Sequence, residues 1–385
     1  MKLGFHYHVC INKKGDALYC PGYLGRFLDS VASEVEELTL IMHSSESEDN
    51  SDYLLKQKNI KLVCLGNKPA AWRRVLFNAS ILAKIRAKIG HCDKILVRAP
   101  SPLAPFFKKN LKITKLVYLL VGDHHELAKS FKIKSFRSLV IKAFISITNI
   151  LFERQLKNNI VIANNRVVFD RYKGSSKSIH MVNTTTLSAS DFFLRDNTCN
   201  GERIDLLFTG RISFEKGLQE LFFAFESLTK DFKNLHLNIV GWEDDLDKPV
   251  EKELRCMTET LKISEKVHFH GYKKIGNELN AVYRSSDIYI IPSYLEGFPR
   301  TVWEAMANSL PVIATNVGGI PFVLQDNISA LLIQPRKSEE IVKSVTRLIK
   351  DSELRKSLIA KGIEISKEVT LEKQAKRLID ILGKV

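Results

Sequence analysis

The sequence predicts an α/β protein with two domains in tandem, each built around a parallel β-sheet. Its length of 385 residues suits two domains, each large enough for a core of its own. Short apolar runs rich in β-formers alternate with helical patterns along the whole chain, which is typical of βαβ units. Several of these runs are continuously apolar, as strands are when helices cover both faces of a parallel sheet.

Eleven runs are predicted to be strands, six before and five after a polar segment at residues 184–203. They span residues 2–9, 37–43, 60–66, 94–98, 115–121, 159–164, 204–210, 235–241, 266–271, 287–293 and 311–315. The polar segment marks the domain boundary. The predicted domains are residues 1–190 and 201–366, followed by 367–385, in which residues 371–382 form an amphipathic helix.

The net charge of +15 is concentrated in the first half of the chain. Residues 1–200 hold 31 Lys and Arg against 16 Asp and Glu, whereas residues 201–385 are balanced. A basic field of this kind, carried by residues 51–190, can attract an anionic membrane surface or nucleic acid, and it can also be only a solvated, lysine-rich surface. No basic motif interleaved with aromatic residues is present, so nucleic acid is not expected as a partner.

Cysteine usage and hydropathy favour a cytoplasmic protein. None of the six cysteines forms a CxxC pair, which argues against a zinc site or a redox dithiol and for reduced thiols. No apolar run reaches the ~20 residues that span a bilayer, and the N-terminus lacks the pattern of a signal peptide. The two locations left open are the free cytoplasm and peripheral attachment to the inner face of the cell membrane.

Two segments of the second half carry side chains suited to a phosphorylated sugar. In FTGRISFEKG, residues 208–217, Arg211 and Lys216 follow a strand, where a parallel sheet binds ligands, and two cations there suit a diphosphate. In residues 290–307, a turn leads into a helix near Arg300, whose N-terminus attracts anions. Glu296 and Glu304 would face one pocket and accept hydrogen bonds from hydroxyl pairs. The alternatives are solvated cations, a helix-entry carboxylate and a surface glutamate.

A third segment, ATNVGGIPFVL, adds a glycine pair after a strand. Gly318 and Gly319 would allow the backbone to approach a ligand closely, or would form an ordinary turn. Together, GR…EKG, then EGFP…EAMA, then PVIAT-x-VGGIP resemble the retaining glycosyltransferases of family 4, the glycosyl transferases group 1. The resemblance extends over essentially the whole second domain and is weaker in residues 1–200. It implies the GT-B fold, with two Rossmann-like domains whose sheets face each other across a cleft and a last helix that crosses back to the first domain.

The resemblance also implies roles for individual residues. Arg211 and Lys216 would neutralise the donor diphosphate, Glu296 would contact the donor sugar and Glu304 would hold the ribose. The other donor-binding positions are Tyr272 against the nucleobase and the loop residues Gly297, Phe298, Pro299, Arg300 and Thr301. His124, or its neighbour His125, would lie near the donor sugar. The match is imperfect at Phe322, where the family often has glutamate, and a packing consequence is expected there.

The implied reaction transfers a sugar from a nucleotide-diphosphate donor to a hydroxyl acceptor with retention of anomeric configuration. A UDP-sugar is favoured over a GDP-sugar, and neither a cofactor nor a metal is expected. Asp245 and Asp247 match a metal-binding D-x-D pattern but lie in an acidic loop that reads as solvated. The acceptor would be a glycan or a lipid-linked molecule in cell-surface polysaccharide or lipopolysaccharide assembly. The alternatives are a sugar-nucleotide epimerase of the same fold and a nucleic-acid-binding protein.

Overall fold

The chain forms two compact units in a computed structural model that describes residues 1–45, 51–111, 116–122, 136–245 and 247–384. Met1–Thr184 and Leu371–Val385 make up the first unit, and Thr185–Thr370 make up the second. His124 and His125, predicted near the donor sugar, lie outside the described residues.

A seven-stranded parallel sheet forms the centre of the first unit. The strands of this unit are β1 (Lys2–His6), β2 (Asn12–Lys14), β3 (Ala17–Cys20), β4 (Glu37–Ser44), β5 (Tyr53–Leu54), β6 (Ile60–Asn67), β7 (Lys94–Ala99), β8 (Leu116–Leu120), β9 (Ile160–Ala163) and β10 (Ser178–Met181). The order in the parallel sheet is β10-β9-β8-β7-β1-β4-β6. Its inner strands are the continuously apolar runs of the sequence, and β7, β8, β1 and β4 are almost wholly buried.

Helices cover this sheet and bury an apolar cluster on each of its faces. The helices of the first unit are α1 (Gly22–Ala32), α2 (Ala71–Leu76), α3 (Asn78–Ala83), α4 (Phe107–Leu111), α5 (Phe136–Leu156), α6 (Arg166–Tyr172) and the last helix of the chain, α13 (Leu371–Lys384). No helix in the described part of the chain is long and apolar enough to cross a membrane.

The first unit also contains a small antiparallel sheet of β2, β3 and β5, which is absent from the strands predicted from the sequence. Gly15, with φ +60°, makes the turn between β2 and β3 in a conformation that side chains disfavour. The carboxylate of Asp29 in α1 accepts hydrogen bonds from the Tyr53 hydroxyl at 2.9 Å and from the Lys56 amide at 3.0 Å. These contacts fix β5 against α1, although β5 is only two residues long.

The last helix returns to the first unit, as the sequence analysis predicted. Its apolar face, with Leu371, Ala375, Leu378 and Leu382 buried, packs in the same cluster as α1. The side-chain carbonyl of Gln374 accepts a hydrogen bond from the Asn183 amide at 2.9 Å.

The second unit is built on a six-stranded parallel sheet in the order β13-β12-β11-β14-β15-β16. Its strands are β11 (Ile204–Arg211), β12 (Leu235–Trp242), β13 (Val267–Gly271), β14 (Ile288–Ile291), β15 (Val312–Thr315) and β16 (Leu331–Ile333). Its helices are α7 (Leu218–Asp231), α8 (Pro249–Thr260), α9 (Asn277–Arg284), α10 (Arg300–Ala307), α11 (Ser338–Lys350) and α12 (Ser352–Lys367). The polar segment that precedes β11 packs onto this unit, where the Phe193 amide donates to the carbonyl of Ala307 at 2.9 Å.

Candidate functional site

The carboxyl edge of the second sheet gathers most of the side chains predicted to bind the donor. Because all its strands are parallel, the loops that follow them emerge at one edge, where α/β proteins bind ligands. Along this edge Tyr272 follows β13, Trp242 ends β12, Arg211 ends β11, and Glu296 follows β14. These four residues are far apart in the sequence, but the strand order places them side by side along four neighbouring strands.

At the end of this row, after strands β11 and β14, Lys216 and Glu296 form an ion pair through Nζ and Oε1. Their side chains are only 18% and 9% exposed. Gly217, with φ +67°, brings the two loops together, since a Cβ there would lie 2.1 Å from the Pro292 carbonyl oxygen. The structure therefore places the two predicted residues in direct contact at a partly buried position.

The glycine pair Gly318 and Gly319 lies against the protein backbone of the loop that follows β14. A Cβ on Gly318 would lie 1.6 Å from the carbonyl oxygen of Glu296, and a Cβ on Gly319 would lie 1.8 Å from that of Gly297. Gly318 also has φ +56°. Because neither glycine has a side chain, the turn after β15 can pack directly against the backbone that carries Glu296.

Glu304 lies one helical turn inside α10 and is 6% exposed. Its Oε2 accepts a hydrogen bond from the Tyr283 hydroxyl at 2.9 Å, and its Oε1 accepts one from the Thr186 hydroxyl. Burial raises the pKa of Tyr283, and so does the nearby charge of Glu304, so the phenol stays protonated and donates. Neither partner was predicted, because Thr186 and Tyr283 are distant from Glu304 in sequence and belong to no motif.

The remaining cation, Arg211, is exposed and pairs with Asp244 at 3.0 Å. Asp244 also accepts a hydrogen bond from the Trp242 indole at 2.9 Å. The Trp242 ring meets the Tyr272 ring edge-on, with centroids 5.5 Å apart, and both rings are exposed. An exposed surface pair contributes only about 0–1 kcal/mol, so an incoming diphosphate can replace Asp244 as the partner of Arg211.

The loop that joins β14 to α10 carries the other predicted residues. Pro299 is the N-cap of α10, and the first turn of the helix contains no acidic side chain. Phe298 stacks on Trp303 with ring centroids 4.3 Å apart. The Thr301 hydroxyl accepts a hydrogen bond from Tyr289 at 2.6 Å. A helix start of this kind, held in place by packing and free of negative charge, suits an anion.

Phe322 and the aspartates of the D-x-D pattern lie outside this row of side chains. Phe322 is 59% exposed, so the packing consequence expected of it is wrong. Asp245 and Asp247 are exposed, and the Asp245 carboxylate accepts a hydrogen bond from the Asp247 amide at 3.0 Å. No group of three or more His, Cys, Asp or Glu side chains that could hold a metal occurs within the described residues.

The fold is that of the GT-B class, an α/β protein with two Rossmann-like domains. Residues 190–365 match the family model of the glycosyl transferases group 1. The match covers the second sheet and every predicted donor-binding residue.

Individual proteins are similar to this chain in sequence or in structure. The chain is 32% identical over 150 residues to the D-inositol 3-phosphate glycosyltransferase of Corynebacterium jeikeium, an alignment of 38% of this chain and 36% of that protein. It spans less than half the length of the curated relatives it matches. Among solved structures it is similar to Anabaena HepE in complex with UDP-glucose, at TM-score 0.75 and 16% identity over 100% of both chains. WaaG, a glycosyltransferase involved in lipopolysaccharide biosynthesis, is similar at TM-score 0.68 and 14% identity over 100% of both chains.

Proposed function

We propose that this protein is a glycosyltransferase that moves a sugar from a nucleotide-diphosphate donor, preferentially a UDP-sugar, to a hydroxyl acceptor with retention of anomeric configuration. The observation that carries the proposal is the contact between Lys216 and Glu296 at the carboxyl edge of the second sheet. It lies within the segment that matches the glycosyl transferases group 1. The UDP-glucose complex of the similar HepE supports the choice of nucleotide.

The order of the side chains suggests how the donor would lie. Neighbouring strands are ~4.8 Å apart, so β13 and β14, three steps apart in the sheet, are separated by about 14 Å. A nucleobase would stack at the exposed rings of Tyr272 and Trp242, and the diphosphate would lie between Lys216 and the start of α10. Glu296 would receive the sugar hydroxyls. Glu304 would bind the ribose by exchanging its hydrogen bonds from Thr186 and Tyr283 for bonds from the ribose hydroxyls.

In the reaction, the bond between the anomeric carbon and the diphosphate oxygen breaks while the acceptor oxygen bonds to the same face of that carbon. The acceptor proton passes to the departing phosphate, so no side chain has to act as a covalent nucleophile. Negative charge develops on the leaving diphosphate. Lys216 and the first turn of α10 would stabilise that charge, and Arg211 would join them on release from Asp244. Preorganised groups of this kind typically contribute 10²–10³ each in rate.

Replacing either member of the Lys216–Glu296 pair tests the assignment. Lys216→Ala and Glu296→Ala should each remove most transfer from a UDP-sugar while the variants stay folded. Lys361→Ala is the matched control, because Lys361 pairs with Glu364 on the exposed side of α12. Wild-type turnover in a folded variant at either site would contradict the proposal.

The charge on the diphosphate would be met by the protein's own cations, so we propose that no metal is required. Transfer activity should persist in EDTA. Complete loss in EDTA that Mg²⁺ or Mn²⁺ restores would instead assign a role to Asp245 and Asp247.

We also propose that the acceptor is a glycan or a lipid-linked molecule at an anionic membrane surface, in cell-surface polysaccharide or lipopolysaccharide assembly. In the first unit, Trp72, Leu76 and Phe77 are exposed on and after α2. Residues 53–92 contain no Asp or Glu, and their exposed cations include Arg73 and Lys84. Exposed aromatic and apolar side chains beside cations are what interfacial binding uses, at about 1 kcal/mol for each cation near the surface.

Co-sedimentation tests this surface. The protein should bind vesicles that contain anionic lipid better than neutral vesicles, and the binding should weaken in high salt, which shortens the Debye length. Trp72→Ser combined with Lys84→Glu should reduce it, whereas Trp242→Ser in the second unit should not. Equal and negligible binding to both vesicle types at low salt would contradict the proposal.

A further inference from the structure

A second cluster of polar side chains lies at the carboxyl edge of the first sheet, and the donor site does not use it. Its members come from four strands that are neighbours in the order β7-β1-β4-β6. Arg98 is the penultimate residue of β7, His8 follows β1, His43 lies near the end of β4, and Arg74 follows β6 in α2. Parallel sheets bind ligands at this edge.

Arg98 is 6% exposed, and no hydrogen bond or ion pair holds its guanidinium within the described residues. Its Nε is buried without a partner. The guanidinium lies over the rings of Tyr7, Phe27 and Tyr23, at 4.6, 5.7 and 5.8 Å from their centroids. The aromatic rings fix the position of the guanidinium and leave its Nε–H without an acceptor.

Arg74, at the other end of this group of strands, is also a buried arginine whose Nε has no partner. It is 6% exposed, whereas its neighbours Trp72, Arg73 and Leu76 on the same short helix are exposed. Burial lowers the pKa of the Arg74 guanidinium, because removing a cation from water disfavours the charge. Arg74 is thus the one buried residue of this short helix, whose other residues are exposed or half-buried.

The groups around the two arginines are basic as well. The charges of Lys68, Arg74 and Arg98 all act on His8, whose Nδ1 lies 2.8 Å from the Pro100 carbonyl oxygen. His43 is 1% exposed and its Nε2 has no hydrogen-bond partner. Across the described part of the chain, no carboxylate pairs with Arg74 or Arg98.

A buried cation without a counter-ion is costly, and natural proteins rarely keep one unless a ligand completes it. Two buried arginines, each with a forked guanidinium whose Nε has no partner, match the oxygens of a phosphoryl group. We propose that Arg74 and Arg98, with His8 beside them, form a phosphate-binding site in the first unit. Under the proposed function this phosphate belongs to the acceptor, as a phosphorylated sugar or as the phosphorylated head group of a lipid.

The assignment to the acceptor rests on the proposed function, whereas the phosphate site itself does not. The test therefore measures inorganic phosphate binding to the full chain by calorimetry, with UDP present to occupy the second unit. Arg74→Gln and Arg98→Gln should each weaken phosphate binding about tenfold or more, the effect of losing one charge-assisted hydrogen bond. Arg166→Gln is the matched control, because it removes the same charge from an exposed position of the first unit, where Arg166 pairs with Asp170, and it should leave phosphate binding unchanged. UDP affinity should be equal in all four proteins.

If Arg98→Gln fails to fold, Arg98→Lys keeps the charge but loses the forked geometry, and it should also weaken phosphate binding. Vesicles with and without phosphatidic acid form the second arm. Dependence on Arg74 in the soluble arm alone identifies a free phosphate, and dependence in the vesicle arm identifies a lipid head group. Absence of phosphate binding in the wild type, or equal affinity in all the variants, would overturn the site. Failure of UDP to bind would count against the donor assignment. The phosphate affinities of the wild type and the variants could still be compared.

Discussion

Removing the charges of the Lys216–Glu296 pair, singly and together, separates the contribution of the pair to stability from its contribution to catalysis. Removing one partner of a fully buried pair costs ~3–5 kcal/mol, because it strands the other charge. Since these side chains are 18% and 9% exposed, water screens part of that cost. We therefore expect Lys216→Met and Glu296→Gln each to lower the free energy of unfolding by about 2 kcal/mol. The double variant has no stranded charge and should return to within ~1 kcal/mol of the wild type.

Transfer activity should follow a different pattern. Each single variant and the double variant should lose 10²–10³-fold in kcat, because the donor sugar and diphosphate lose the groups that hold them. Urea unfolding followed by tryptophan fluorescence gives the stabilities, and a coupled assay for UDP release gives the rates. Singles as stable as the wild type, or a double variant as unstable as the sum of the singles, would refute the pair. Recovery of activity along with stability would refute its catalytic role.

Three further perturbations test other parts of the account. Glu304→Ala should raise the Kd for UDP at least tenfold by calorimetry, and an unchanged Kd would rule out the ribose assignment. Gly318→Ala puts a Cβ 1.6 Å from the Glu296 carbonyl oxygen and should lower kcat/KM at least tenfold. Gly201→Ala should not, because the nearest atom to a Cβ there would be 3.4 Å away. Burial lowers the pKa of His6 to about 3 and of His8 to about 4. The unfolded chain binds those protons first, so stability is full above pH 6.5 and should fall by roughly 1–2 kcal/mol per histidine by pH 5. A His6→Asn variant should show a shallower pH slope in urea unfolding, and an unchanged slope would exclude the effect.

The inner strands were predictable because a strand that is buried on both faces needs a continuous apolar run of residues. All eleven predicted strands are present to within a few residues at their ends. The missed strands are short or lie at sheet edges. Ser178–Met181 and Leu331–Ile333 pair on one side only and need less apolar sequence. The antiparallel strands near Tyr53 depend on the distant carboxylate of Asp29, which no local pattern reveals.

The donor site was predictable where its residues share a short segment and hidden where they do not. Lys216 and Glu296 belong to compact motifs, and the structure joins them. Tyr283 contacts Glu304 only through the packing of α9 against α10, so its position could not be read from spacing. Arg98 left one usable signal: a cation inside the otherwise apolar run ILVRA. Arg74 left none, because the sequence RR does not show which arginine turns inward.

The central claim is that the carboxyl edge of the second sheet binds a nucleotide diphosphate without a metal. Calorimetry of UDP, GDP and ADP in EDTA, on the wild type and on Lys216→Met, tests it most directly. We expect UDP to bind most tightly, with at least tenfold weaker affinity in the variant, and UDP at 100 times its Kd to stabilise the wild type by ~2.7 kcal/mol. Binding of none of the three nucleotides, or an affinity for UDP that is indifferent to Lys216, would contradict the account.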